Sequence, residues 1–548
     1  MPRLALLALL CGLACTPPKP TDLPDTADDS ADDSATDSAD DSACGGDLSL
    51  AEGQARTDQG VLQGHRSGVT WAFLGVPFAA PPVGPLRFRP PEAPGCSDEV
   101  LDAADYAPLC VQRDEDGEIS GEEDCLALNV WTPASLPASP TADALPVLFF
   151  IHGGANVMGG TSVEASGVPV YDGAALAERT GVVVVTAAYR LGALGFLAHP
   201  ALTAEAGTSG NYGLRDQLAA LQWVHDQIAA FGGDPSRVLV FGESAGAVNT
   251  CALLSSPAAR GLMSAAAMES GACTQPTLAE REGEGEDKVA LTDCASAEDV
   301  AACLRSLDAD TLAALSDDVV SSYGVPSGGG FGPNVDGDLL PMDPMAALEA
   351  GARLEVPLII GTNADETAQW VPTMTAEQYN STIESVFGRL ADRVLEVYPL
   401  SAYASPRWAW IALTTDAAFT CPARTIAAAA AATAPVYRYW FTKDPEGAAG
   451  VAYGAFHGLE LTYVFQHLDA VADATGYTPS DADLEIEAAM GAAWSALAAD
   501  GAPDAARWPE LDPETDPYLE LGSEISAGEG VRTEACDLWD ALSVYALR

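Results

Sequence analysis

A serine set among glycines occupies the segment Phe241-Gly242-Glu243-Ser244-Ala245-Gly246, which follows an apolar run and leads into a helical pattern. Small residues around a serine permit a tight strand-to-helix turn that pushes the hydroxyl into an exposed, strained position. The chain holds 51 glycines, so this pentapeptide pattern is weak alone and gains weight from its context. A serine hydroxyl attacks a carbonyl only once a base takes its proton. In a strand-turn-helix setting of this kind the partners follow in the order serine, acid, histidine, and only His457 and His467 lie after Ser244. His457 sits in Gly454-Ala455-Phe456-His457-Gly458, a glycine-flanked loop suited to reaching over a sheet edge, and is the candidate base. His467 lies in a helical-looking stretch after Phe465 and is expected on an element surface.

The base needs a carboxylate to fix its tautomer and stabilise it once protonated. Leu358-Ile359-Ile360-Gly361-Thr362-Asn363-Ala364-Asp365-Glu366 reads as a strand running into a polar loop, and Asp365 and Glu366 are both candidates. Ile151-His152-Gly153-Gly154-Ala155-Asn156 follows another apolar run, where backbone N–H groups could hold a developing oxyanion. A plain glycine turn is the alternative there, and the placement upstream of Ser244 favours the donors.

These residues require a sheet to carry them. Val147 to Ile151, Val182 to Val185, Val238 to Phe241 and Val356 to Ile360 read as buried strands. Leu214, Leu218, Leu221, Val224 and Ile228 fall on one helical stripe between the second and third. The alternation predicts an α/β fold, with a mostly parallel central sheet flanked by helices on both faces.

The formal net charge of −54 argues against nucleic acid or an anionic membrane surface as a partner, since both need clustered Lys and Arg. Residues 1–15 have a basic start, a short apolar middle and a small residue before Cys15, the pattern of an export signal too short to span a bilayer. Gly12-Leu13-Ala14-Cys15 resembles a bacterial lipoprotein cleavage box, although Gly12 stands where Leu is usual. The expectation is an exported chain, tethered to the cell envelope through a lipidated Cys15 or, with simple signal cleavage, secreted. Residues 16–45 are dominated by Asp, Ser, Thr and Ala, which cannot bury enough surface to order, and form an acidic linker. Residues 46–548 show no further break and are expected to form one large domain. The cysteines from Cys44 onward suit disulfides in an exported protein, and their spacing disfavours zinc.

Longer motifs make a family resemblance plain. Gly75-Val76-Pro77-Phe78-Ala79-Ala80-Pro81-Pro82-Val83-Gly84 with Leu86-Arg87-Phe88, Glu123-Asp124-Cys125-Leu126 and Asn129-Val130-Trp131-Thr132-Pro133 come first. Tyr189-Arg190-Leu191-Gly192, Gly210-Asn211-Tyr212-Gly213-Leu214 with Asp216-Gln217, and Phe231-Gly232-Gly233-Asp234-Pro235 follow. In this order and over nearly the whole length after the linker, the chain resembles type-B carboxylesterases, the cholinesterase-like α/β-hydrolases.

The resemblance implies ester hydrolysis through an acyl-enzyme, with Ser244 as nucleophile, His457 as base and Glu366, not Asp365, as acid. It implies an oxyanion hole from the N–H groups of Gly154, Ala155 and Ala245, and electrostatic support of the imidazole by Glu243. It pairs Cys110 with Cys125, Cys294 with Cys303 and Cys421 with Cys536, and leaves Cys44, Cys96, Cys251 and Cys273 unassigned. It implies no cofactor and no metal, a small-molecule ester as partner, and an oligomeric state that is left open.

Two departures bear on substrate fit. Ala155 stands where the family usually has a third Gly and Asn156 where an aromatic is common; a positive φ at Ala155 would cost roughly 1–2 kcal/mol. The segment Val111 to Asp124 is short, acidic and lacks Trp, so the aromatic site for a quaternary ammonium is absent and a choline ester is not expected. The rival readings are a non-catalytic recognition module of the same fold, which retention of all three triad residues opposes, and an amidase or polyester hydrolase using the same machinery.

Overall fold

Eleven strands form one sheet, and their alternating side chains feed two separate apolar layers. The computed structural model describes residues 49–114, 117–136, 143–321, 324, 328–504 and 507–546. The expected export signal, linker, Cys15 and Cys44 lie outside the described residues.

Numbered within this sheet, the strands are β1 (His65–Ser67), β2 (Thr70–Pro77), β3 (Ala127–Thr132), β4 (Leu145–Ile151), β5 (Val183–Ala187), β6 (Gly233–Glu243), β7 (Ala265–Glu269), β8 (Leu358–Asn363), β9 (Val436–Phe441), β10 (Pro517–Leu521) and β11 (Ile525–Glu529). Their order is β1-β2-β3-β5-β4-β6-β7-β8-β9-β10-β11. The run from β5 to β10 is parallel throughout, and the antiparallel pairs lie towards the two edges.

Val147, Phe149 and Ile151 of β4 enter one apolar layer, whereas Leu148 and Phe150 enter the other. Val238 and Val240 of β6 divide in the same way from Leu239 and Phe241. Such period-two runs, apolar on both faces, are what a parallel sheet needs when helices cover both sides. Helix α1 (Tyr212–Gln227) and helix α2 (Ala245–Ser255) cover the first layer, through Leu214, Leu221, Val224, Ala247 and Leu254. Helix α3 (Leu278–Val289) follows β7 and begins with a capping box, in which Thr277 and Glu280 satisfy each other's backbone N–H groups. Helix α4 (Asp481–Asp500) covers the second layer with Ile486, Met490, Trp494 and Leu497.

The structure extends the strands beyond the sequence reading. The stretch expected from Val356 begins at Leu358, after Pro357, and continues to Asn363, so Gly361 to Asn363 belong to the sheet and not to the loop. Cys110–Cys125, Cys294–Cys303 and Cys421–Cys536 are bridged, and so are Cys251 and Cys273. Among the described residues no helix is long and apolar enough to cross a membrane.

Several motif residues do structural work. Arg190 and Asp216 form a buried bidentate pair, with Nη2 2.7 Å from Oδ1 and Nε 2.8 Å from Oδ2, and the Arg190 backbone N–H also donates to Oδ2. Removing one partner of such a pair strands the other charge in the interior. Asp216→Ala is therefore expected to lower stability by about 3–5 kcal/mol, read as a lower midpoint in denaturant titration.

Candidate active site

Ser244 occupies the turn between β6 and α2 with φ 56° and ψ −121°, a backbone region that costs a residue with a side chain roughly 1–3 kcal/mol. Its N–H donates to Glu269 O at 2.8 Å, which ties the turn to the end of β7. The turn can close only because position 246 is glycine: a Cβ there would lie 2.0 Å from Ile151 O on β4. The hydroxyl-bearing residue is thereby presented at the carboxyl end of the sheet, partly exposed.

His457 is largely buried, and its Nδ1 lies 2.6 Å from Glu366 Oε2. Glu366 is fully buried, and its Oε1 accepts from Ser270 Oγ at 2.6 Å and from the Asn363 N–H at 2.7 Å. A carboxylate so supplied acts as an acceptor, which keeps a proton on Nδ1 and makes Nε2 the nitrogen able to give up and take back a proton. Asp365 faces elsewhere and accepts from the Ala455 N–H at 3.1 Å; burial, ahead of nearby carboxylates, pushes its pKa up to about 6.

The Nε2 atom lies 3.0 Å from Glu243 Oε1, an ion-pair contact outside hydrogen-bond geometry that leaves Oε1 without a hydrogen-bond partner. Among the described residues no hydrogen bond joins Ser244 Oγ to His457. The structure thus places the imidazole against the carboxylate of Glu243, the residue before the serine. Burial works against protonation of His457, but Glu243 and Glu366 overcome it and hold the pKa well above the ordinary histidine value. Trp370 and Phe419 flank the ring, with centroids 5.2 Å and 5.1 Å away. Phe419 is delivered by a π-helical turn, Asp416–Thr420.

The oxyanion loop adopts the strained alternative. Gly154, Ala155 and Asn156 have φ of 99°, 55° and 59°. Ala155 thus carries the roughly 1–2 kcal/mol cost of a left-handed alanine. Gly154 cannot be replaced cheaply, since a Cβ would meet Met158 O at 2.1 Å. In the turn and loop bonding of the described residues, the N–H groups of Gly154, Ala155 and Ala245 donate to no backbone oxygen. The loop is braced from both sides: Tyr189 Oη donates to His152 O at 2.9 Å, and Asn249 Nδ2 on α2 donates to Asn156 Oδ1 at 2.8 Å.

His467 differs from expectation. It is buried at the start of a helix, and its Nε2 lies 2.8 Å from Asp172 O, so the ring turns inward to satisfy a backbone carbonyl instead of facing solvent. Four residues behind the imidazole escaped the sequence reading. Ser270 and Asn363 hold Glu366. Glu460 accepts from Asn363 Nδ2, and Glu269 accepts from Trp494 Nε1 at 2.8 Å. Only Glu460 left a local sign, three residues after the candidate base in His457-Gly458-Leu459-Glu460-Leu461.

A model of the carboxylesterase family matches residues 51–539. Fumonisin B1 esterase of Sphingopyxis macrogoltabida is 37% identical over 495 residues, covering 87% of each chain. Para-nitrobenzyl esterase of Bacillus subtilis (strain 168) is 36% identical over 496 residues, covering 86% of this chain and 95% of that one. A solved PNB esterase superposes with a TM-score of 0.75 at 35% identity, covering 89% of this chain and 99% of the other. The chain belongs to the carboxylesterase family. It is a carboxylic ester hydrolase of the α/β-hydrolase fold, and the recognition-module alternative is not favoured.

Burial, then the charges of Glu243 and Glu366, raise Glu460 to about 8. The folded protein then keeps a proton that the unfolded chain releases, so the Glu460 contribution to stability is present at acid pH and is lost as pH climbs from about 4.5 through 8. Glu460→Gln is expected to flatten the fall in stability across that window, measured by denaturant titration at a series of pH values.

Proposed function

We propose that Ser244 attacks the ester carbonyl while His457 takes its proton, Glu366 orients and stabilises the imidazole, and the N–H groups of Gly154, Ala155 and Ala245 hold the tetrahedral oxyanion. The observation carrying this reading is the 2.6 Å link from Glu366 to His457 Nδ1, which leaves Nε2 beside the Glu243-Ser244 turn. For proton transfer Nε2 exchanges Glu243 for the Ser244 hydroxyl. The imidazolium so formed lies between two carboxylates, and it returns its proton to the departing alcohol as the acyl-enzyme forms. Water, activated by the same imidazole, then releases the acid.

The substrate class is small-molecule carboxylic esters. The names of the relatives, which span fumonisin B1, para-nitrobenzyl esters and, for a human relative 32% identical over 523 residues, cocaine, support no narrower choice of alcohol. We also propose that residues 46–548 act as one unit, exported and tethered through Cys15. The N-terminal pattern and the disulfides support this placement.

Ser244→Ala is expected to lower kcat/KM on aryl esters by at least about a thousandfold, with a serine-directed phosphonate attaching to Ser244 in the wild type. Retained turnover in the folded variant, or label elsewhere, would overturn the assignment. The Glu243 charge helps keep His457 protonated, and the base works only when unprotonated. Glu243→Gln is therefore expected to move the acid limb of the kcat/KM profile to lower pH.

A further inference from the structure

Beyond the oxyanion loop, two donors converge without an acceptor. Arg281 lies in the first turns of α3, held by the Thr277–Glu280 capping box. Both of its side-chain hydrogen bonds leave from Nη1, to Glu284 Oε2 at 2.7 Å and to Gly330 O at 3.5 Å. Its Nε is buried and, among the described residues, has no hydrogen-bond partner. The edge formed by Nε and Nη2 is the one that meets a carboxylate in side-on, two-bond fashion.

Gly332 shows where this edge faces. A Cβ built on Gly332 would lie 3.4 Å from Arg281 Nη2 and 3.4 Å from Asn156 Nδ2, so at most twice that distance separates the two nitrogens. One carboxylate, accepting at ordinary hydrogen-bond lengths, can span such a gap. Asn156 is buried, and Asn249 donates to its Oδ1, which turns Nδ2 towards Gly332. Among the described residues Nδ2 donates to nothing. Gly332 itself adds no side chain to fill the space.

The surrounding wall is fixed. Gly329 packs on Val157, where a Cβ would come within 2.7 Å of its side chain, and Lys288 Nζ lies 4.8 Å over the Phe331 ring. Lys288 is itself paired with Asp317 at 3.0 Å. Glu284 offsets part of the Arg281 charge through Nη1 and leaves Nε and Nη2 without an acceptor among the described residues. In a protein of net charge −54, long-range attraction does not bring an anion here, so binding must come from these short-range donors.

We propose that Arg281 and Asn156 form an anion subsite for the acyl portion of the substrate, so that the preferred esters are half-esters of dicarboxylic acids carrying a free carboxylate. This rests on the Ser244 mechanism above. His457, among Glu243, Glu366, Trp370 and Phe419, gives its proton to the leaving alcohol and so claims the alcohol side. Asn156 follows the oxyanion donors Gly154 and Ala155 directly in the chain, and Arg281 faces the same Gly332, so this pair is assigned to the acyl chain.

The test compares monoethyl succinate, glutarate and adipate with ethyl butanoate, pentanoate and hexanoate by pH-stat at pH 8. For the best of the three acids, wild-type kcat/KM on the half-ester is expected to exceed that on its neutral counterpart at least tenfold. That ratio is expected to fall at least tenfold in Arg281→Gln, through KM, and part of it to return in Arg281→Lys. In the wild type, free glutarate is expected to inhibit turnover of the neutral ester competitively and its diamide is not. Preference for neutral esters in the wild type, an unchanged ratio in Arg281→Gln, or equal inhibition by diacid and diamide overturns the anion subsite and leaves the esterase mechanism standing. No turnover of either series, with Ser244 unlabelled by phosphonate, removes that mechanism and the subsite with it.

Discussion

One imidazole inside a shell of carboxylates is the constraint around which the structure is arranged. Glu366 and Glu243 touch His457, and Glu460 and Glu269 are buried behind them. Taking carboxylates out of water is costly unless donors meet them or protons neutralise them. The interior uses both remedies: Ser270 and the Asn363 N–H supply Glu366, whereas burial raises Glu460 to about 8 and Glu269 well above its ordinary value. An imidazole in that shell is readily protonated, which suits the proposed intermediate in which it carries the proton from serine to leaving group.

The sheet supplies the rigidity that such a site needs. Strained backbone persists only where its surroundings over-determine it, and the positive φ values at Ala155, Asn156 and Ser244 cluster in one place. Strand β4 leads into the first two and touches the turn of the third, for it is Ile151 O that excludes a side chain at Gly246. Loop and turn are thus registered against each other by a backbone contact that no flexible side chain can relax.

What the sequence made legible is what chemistry forces into short spans. The glycine-bounded serine, the loop after β4 and the glycine-flanked histidine each advertise themselves within a few residues, and valine-rich runs mark the parallel strands that present them. Asp365 and Glu366 could not be separated without the family resemblance, because neighbouring side chains differ in direction only once β8 is seen to continue to Asn363. His467 misled because a position at a helix start carries no local sign that its ring will turn inward onto Asp172 O. Ser270 and Glu269 were illegible because their partners, Glu366 and Trp494, lie far away in the chain and meet them only in the folded protein. The pairing of Cys251 with Cys273 was open for the same reason.

The Cys421–Cys536 bridge closes a loop of 115 residues in which β9, His457, α4, β10 and β11 all lie. In the unfolded chain that closure removes conformational freedom worth about 4–5 kcal/mol on a chain-entropy account. It also makes the domain tolerant of damage. A single peptide cut within the enclosed stretch yields no separate fragment, because both pieces stay on one covalent frame with His457 at hand to re-dock. A nicked molecule is then still one molecule.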